Sequence, residues 1–123
     1  MPSKSFCADL LKNGGPLAEY AYMGTREKKW AENWSHEMFP GLNVYDVLAI
    51  TTSGNRNFFL HGHEFKFVEK KGSIYIFASK EKSLAYGWCL RYIVVVVGHV
   101  NAQDQCERAV DYGFYYIQSL DDQ

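Results

Sequence analysis

The spacing of apolar and polar residues changes near residue 43. Before that point, Trp30, Trp34 and Met38 follow one another at intervals of four and would form one stripe on a helix. After it, β-branched residues become frequent and apolar and polar residues alternate, which is typical of strands. The pattern therefore predicts helices first and a sheet afterwards.

Three short helices are predicted in the first part of the chain. Ser5 and Thr25 are suitable N-caps for the first and the third helix, and Pro16 suits the first turn of the second. Gly14-Gly15 and Pro40-Gly41 would end the first and third helices. The predicted helices span residues 5–13, 17–23 and 25–38.

Four strands are predicted in the second part. They span residues 44–52, 57–69, 74–78 and 89–100. The second one alternates with period two, which would place five side chains on one face: Phe59, His61, His63, Phe65 and Phe67. A hairpin turn is predicted at Gly72. Ser79 would cap a short helical turn over residues 80–86.

The last predicted strand is the most apolar one, because residues 93–97 leave it no polar face. Such a strand is buried on both sides and lies in the middle of a sheet. Asn101 would then cap a C-terminal helix that carries one apolar stripe. The stripe consists of Ala102, Cys106, Ala109, Val110, Gly113, Ile117 and Leu120.

Together these elements predict an α+β fold. An antiparallel sheet of about four strands would carry the N-terminal helices and the C-terminal helix. The 123 residues have the length of one domain, which we place at 1–123. No repeat or linker-like change of composition divides the chain.

Composition narrows the functional classes. Apolar residues make up 47% of the chain, too many for a disordered protein, and a formal net charge of −1 provides no basic face for nucleic acid. The first residues lack an apolar signal segment, and the longest apolar run, 92–97, is far shorter than a membrane span. Three cysteines, Cys7, Cys89 and Cys106, fit a reducing compartment. We therefore expect a cytoplasmic protein that binds no nucleic acid, membrane or cofactor.

Two histidines at alternate positions, His61 and His63, form the first candidate site. On one strand their imidazoles would lie side by side, where they could bind a transition metal or act as an acid and a base. His99 would complete a three-histidine centre if the sheet brings it close. The competing interpretation is that both strand histidines are structural residues on a half-buried face.

The histidine pair also resembles two enzyme families. With Gly54, Glu69 and Gly72 it is similar to the metal motif of cupins, although the spacings differ and the second cupin motif is missing. The segment Gly72 to Ser79, preceded by His61-Gly62, resembles the NAD-binding core of ADP-ribosyltransferases, in which a helix starts at the serine. That resemblance implies that His61 and Tyr75 correspond to the family's histidine and tyrosine.

Aromatic residues are the second candidate feature. The chain has 9 Tyr, 8 Phe and 3 Trp, and one apolar stripe cannot bury all those that crowd the last helix. Tyr combines a large contact area with a polar group and is favoured at interfaces. Tyr112, Tyr115 and Tyr116 are therefore predicted to lie in an interface.

The sequence favours a small soluble binding protein, because no catalytic motif has the required spacing. Its aromatic-rich surface or pocket would bind a partner protein, a second copy of the chain in a homodimer, or a small apolar ligand. The alternative is a small enzyme with a metal or acid/base site at His61, His63 and His99.

Overall fold

The structure is a computed structural model that describes residues 4–35 and 39–121. Within these residues, helices and strands follow in the order α1 (Lys4–Gly14), β1 (Ala18–Gly24), β2 (Lys29–Trp34), α2 (Val44–Ser53), β3 (Phe58–Leu60), β4 (His63–Lys71), β5 (Ile74–Ala78), β6 (Lys82–Cys89), β7 (Tyr92–His99) and α3 (Gln103–Asp121). The predicted first and last helices are thus confirmed.

All seven strands form one antiparallel sheet in the order β2-β1-β7-β6-β5-β4-β3. The α+β class is confirmed, but the sheet has seven strands and not about four. The apolar strand β7 lies between β1 and β6, and residues 93–97 are fully buried. This confirms the prediction of a buried central strand.

Helices cover both faces of the sheet. On one side, which we call the helix face, α1 and α3 pack on small residues such as Ala21, Ala85 and Val96. On the other side, which we call the α2 face, Val47 and Ile50 of α2 and the preceding segment 39–42 cover the rings of β1, β5 and β6. Each face has its own apolar core cluster.

Two of the three predicted N-terminal helices are wrong. Residues 17–23 contribute to β1, whose seven residues are all buried because both faces of this strand are covered. A strand that is buried on both faces shows no clear alternation of apolar and polar residues, so its sequence was also compatible with a helix. Residues 29–34 form β2, and residues 36–38 of the third predicted helix, Met38 included, lie outside the described part of the chain.

The predicted first strand, 44–52, is also wrong, because these residues form α2. Asn43 and Asp46 make a reciprocal cap at its N-terminus. The Asp46 N–H donates to Oδ1 of Asn43 at 2.8 Å, and the Asn43 N–H donates to Oδ2 of Asp46 at 3.0 Å. This capping box satisfies two backbone groups that a helix start leaves without partners, and so overrides the β-branched composition of the segment.

The predicted strand 57–69 is two strands joined by a hairpin turn at His61 and Gly62, with φ of 51° and 82°. The turn reverses the chain, so the alternation does not continue through it. Phe65 is fully buried, as predicted, whereas Phe59 is 73% exposed. The predicted hairpin at Gly72 is confirmed.

Two smaller predictions around the last strand also differ. Residues 80–86 form no helical turn, because the chain reverses at Ser79, whose N–H donates to the Lys82 carbonyl, and continues as β6. Helix α3 begins at Gln103, and Asn101 lies in the preceding turn with φ of 63°. The apolar stripe of α3 is buried from Ala102 to Ile117, as predicted.

Candidate binding surface

The tyrosines of α3 divide between two environments. Tyr115 is 74% exposed, whereas Tyr112 and Tyr116 are half-buried against the core of the helix face. Residues three or four apart lie on one side of a helix, so Gln105 and Arg108 share a side of α3 with Tyr112 and Tyr116. The hydrogen bonds of Gln105 and Arg108 show which element this side faces. Gln105 accepts from the Leu17 N–H at 2.8 Å, and Arg108 donates to the Gly14 carbonyl at 3.0 Å. Tyr112 and Tyr116 therefore lie on the side of α3 that faces α1.

Helix α1 contributes an aromatic partner to this side. The rings of Phe6 and Tyr116 stack with centroids 3.8 Å apart. Phe6 is almost fully buried, whereas Tyr116 keeps part of its ring exposed. The N-terminal half of α1 and the C-terminal half of α3 thus present a paired aromatic edge.

A second aromatic pair lies where β2 begins and β7 begins. The β1–β2 register shifts between Met23 and Gly24, which pair with Ala31 and Lys29, so Trp30 is an extra residue in a β-bulge. Its ring meets the Tyr92 ring edge to face at 5.1 Å. Tyr92 packs on the same core cluster as Phe6 and Tyr116.

We call these partly exposed rings the aromatic surface: Trp30, Tyr92, Tyr112, Tyr115 and Tyr116. Three of its members were predicted as interface residues. Trp30 and Tyr92 were missed, because a bulge depends on strand pairing and leaves no local signal in the sequence. Interaction surfaces of this type are enriched in Tyr and Trp.

Beside the aromatic surface, the β1–β2 and β6–β7 turns enclose a groove of about 670 Å³. We call it the turn groove; it is lined by Thr25, Arg26, Glu27, Lys28, Trp30, Trp88, Leu90 and Arg91. The Arg26 guanidinium lies 5.3 Å above the Trp88 ring, and that of Arg91 lies 5.4 Å above the Tyr92 ring. Both are cation–π contacts.

Leu90 stands out on the wall of this groove. It is 59% exposed and has φ of 57°, a left-handed conformation in the two-residue turn between the paired residues Cys89 and Tyr92. Gly, Asn and Asp adopt this conformation at lower cost than Leu. The fold thus holds an apolar side chain in water at a backbone position that disfavours it.

The three candidate histidines occupy separate surroundings. His61 lies in the β3–β4 turn, where its Nε2 is 2.9 Å from the Gly41 carbonyl and 3.7 Å from Oδ2 of Asp46. His63 begins β4, and its Nδ1 is 3.9 Å from Oε2 of Glu81. They do not share a strand face, contrary to the prediction.

His99 ends β7, which is three inter-strand spacings from β4, about 14 Å across the sheet. Its Nδ1 lies 3.1 Å from the carbonyl of the next residue, Val100. Within residues 4–35 and 39–121, no group of three His, Cys, Asp or Glu side chains is arranged to hold a metal ion.

The local structure also differs from the one that the resemblance to ADP-ribosyltransferases implies. The ADP-ribosyltransferase core requires a helix that starts at Ser79, and the chain forms strand β6 there. Tyr75 stacks on Tyr86, with centroids 5.0 Å apart, on the α2 face and away from the aromatic surface. His61, which corresponds to the family's histidine, lies in a turn and not in a strand.

A partly buried polar cluster on the α2 face connects β1, β2 and the segment before α2. The Tyr20 hydroxyl donates to Oε2 of Glu32 at 2.5 Å and accepts from the Leu42 N–H at 2.9 Å. Lys29 pairs with the other Glu32 oxygen at 2.8 Å. Burial, followed by the Glu32 carboxylate, holds the pKa of Tyr20 far above its usual range. The cluster anchors segment 39–42 on the sheet and is a structural feature.

The sequence matches no protein-family model and no curated protein. The architecture is nevertheless that of profilins. Rat profilin 2a superimposes with a TM-score of 0.69 and 15% identity over 94% of each chain. The profilin of Schizosaccharomyces pombe gives 0.65 and 12% over 95% of this chain and 97% of its own. Human profilin II gives 0.64 and 15% over 91% and 96%.

At these identities the likeness establishes a profilin-like fold, in which helices pack on an antiparallel sheet. A fold can carry many functions, so the function has to be argued from the surface. None of the helices in the described part of the chain is long and apolar enough to span a membrane.

Proposed function

We propose that this chain is a non-catalytic binding protein that holds an extended segment of a partner protein on the aromatic surface. The observation that carries this proposal is the set of partly exposed rings on one side of the molecule. Trp30 and Tyr92 pack against each other, and Tyr116 is fixed by Phe6. Rings held in place by the fold lose little conformational entropy when they bind.

The chemistry of these rings favours a particular conformation of the partner. A polyproline II segment has no internal hydrogen bonds and is already extended, so little entropy is lost when it binds. Aromatic-lined surfaces recognise such segments through their flat apolar sides. The hydroxyls of Tyr92, Tyr112 and Tyr116 add polar groups that can bind the exposed carbonyls of the segment. We therefore propose a proline-rich segment as the partner.

Isothermal titration with a synthetic proline-rich peptide tests this function. We expect Trp30→Ala to weaken binding at least about tenfold, because a central Trp is a frequent hot spot of binding energy. Tyr45→Ala is the matched control, since Tyr45 is 82% exposed on α2 and lies away from the aromatic surface. Circular dichroism of both variants checks that the fold is retained.

Two results would contradict the proposal. The first is a wild-type chain that binds no proline-rich peptide. The second is a Trp30→Ala variant that binds as tightly as the wild type, which would place recognition on another surface.

Self-association is a second candidate, favoured by the exposure of Tyr115 beside Tyr112 and Tyr116. Light scattering at micromolar concentration measures the mass directly. A dimer that Tyr115→Ser converts to a monomer would support it, and a monomeric wild type would exclude it at that concentration.

A further inference from the structure

We infer that the partner segment carries carboxylates next to the part that docks on the aromatic surface, and that the turn groove binds them through Arg26 and Arg91. This inference rests on the proposed function and specifies the chemistry of the partner.

The groove and the aromatic surface are continuous. Trp30 lines the groove and at the same time packs on Tyr92. Arg91 lines the groove and lies above the Tyr92 ring. A segment that passes over Tyr92 and Trp30 therefore reaches the groove, which leads round the end of the sheet to Trp88 on the α2 face.

The charges of the groove point to an acidic ligand. Its lining contains three cationic residues, Arg26, Lys28 and Arg91, and one anionic residue, Glu27, although the whole chain has a formal charge of −1. The concentration of positive charge in a concave site on a weakly acidic protein favours partners with negative charge at this position.

The placement of the two guanidinium groups agrees with this. The Arg26 and Arg91 groups lie above the rings of Trp88 and Tyr92, which restricts their orientation. Arg91 Nη2 also donates to the Tyr92 hydroxyl at 3.3 Å. A guanidinium has five N–H groups, so one that is held in this way can still donate to a carboxylate.

The apolar residues of the groove favour a protein segment over an isolated anion as its ligand. Trp30, Trp88 and the strained, exposed Leu90 line the same groove as the arginines. An apolar side chain between two carboxylates would satisfy both kinds of wall, whereas a phosphate or a lipid headgroup would use only the charges. We therefore assign the groove to an acidic stretch of a protein partner.

Three peptides with one proline-rich core test the inference, one flanked by Asp and Leu, one by Ser and Leu, and one by Lys and Leu. We expect the Asp peptide to bind the wild type most tightly and the Lys peptide least. We expect Arg26→Gln to lower the ratio of the affinities for the Asp peptide and the Ser peptide about fivefold, because one exposed ion pair contributes that much. Raised salt should reduce the same advantage.

Arg56→Gln is the matched control, because Arg56 is an exposed arginine in the loop after α2, outside the groove. It removes the same charge and should leave the order of the three peptides unchanged. Arg26 lies in an exposed turn, so its substitution should not alter the fold.

The outcomes separate the two proposals. If the Asp and Ser peptides bind equally well, the acidic partner is wrong and the proposed function stands. If none of the three peptides binds, the proposed function itself fails. Vesicles of phosphatidylcholine and phosphatidylserine form the third arm. Binding to them that Arg26→Gln abolishes, without any preference for the Asp peptide, would assign the groove to a lipid surface and overturn the inference.

Discussion

The two faces of the sheet bury side chains of very different size. On the helix face the sheet contributes small residues to the core, among them Ala18, Ala21, Ala85, Val94 and Val96. On the α2 face it contributes large rings, among them Tyr20, Tyr22, Phe65, Phe77 and Tyr86. Both cores lie on the same sheet, so the difference reflects what covers each face.

On the helix face, close approach is the main requirement. A Cβ added at Gly87 would lie 2.4 Å from the Phe114 ring, and one added at Gly113 would lie 3.2 Å from Val94. On the α2 face, the helix buries only Val47 and Ile50, and rings fill the remaining space. The helix face therefore requires small residues at its contact positions, whereas the α2 face requires large rings.

The largest effect should follow from removing a ring of the α2 face. Phe77 is fully buried and its ring lies 4.8 Å from that of Phe58. We expect Phe77→Ala to lower the free energy of unfolding by about 3–5 kcal/mol, because the surrounding rings cannot close the cavity. Urea denaturation measures this. Phe59→Ala in strand β3 is the control, and a cost above about 0.5 kcal/mol there would contradict the exposure of Phe59.

A smaller effect should follow from adding one carbon atom to the helix face. The added Cβ of Gly98→Ala would lie 2.6 Å from the Leu17 carbonyl and 2.8 Å from Sγ of Cys106. That carbonyl accepts from the His99 N–H and cannot move freely. We expect a loss of about 2–3 kcal/mol in the same denaturation experiment.

The comparison for that variant is Val97→Ile, which adds one carbon atom to the other side of the same strand. The neighbours of Val97 on the α2 face are side chains, which can rotate, so the cost should be lower. Equal costs at the two positions would show that both faces are packed to the same tolerance.

The smallest effects concern two tyrosine hydroxyls on the α2 face. Tyr20→Phe removes the donor to Glu32 and the acceptor for the Leu42 N–H, and should cost about 1–2 kcal/mol. Tyr22→Phe should be neutral or slightly stabilising. The buried Tyr22 hydroxyl has no hydrogen-bond partner among the described residues, and burial raises its pKa to about 12. A cost for Tyr22→Phe equal to that of Tyr20→Phe would contradict this difference.

The size difference between the faces also explains which elements were predictable. Strand β7 and the stripe of α3 were predicted because each has one simple pattern, an apolar run or a helical period. The sequence of strand β1 also fits a helix, because Tyr20 and Tyr22 on one face and Ala21 and Met23 on the other are all apolar or aromatic and leave no polar face. Only the tertiary structure, which covers both faces, distinguishes the two possibilities.

The remaining errors have local causes. The β-branched residues of segment 44–52 predicted a strand, and the cap formed by Asn43 and Asp46 was not recognised. The turn at His61 lacked the usual Asn-Gly signal, since a histidine occupies the left-handed position. On the candidate surface, the α3 tyrosines were found from their number, whereas Trp30 depended on a bulge that only strand pairing creates.

The bulge at Trp30 has a consequence for solubility and for the mode of recognition. Strands β2 and β3 are the two edges of the sheet, where unpaired backbone groups can recruit other chains. Strand β3 has three residues, and the bulge interrupts the regular ladder of β2. Strand β3 pairs with only the first three residues of β4, and the rest of that edge is interrupted by a second bulge at Val68. A strand added at either edge would therefore meet a bulge, which favours recognition through side chains over extension of the sheet.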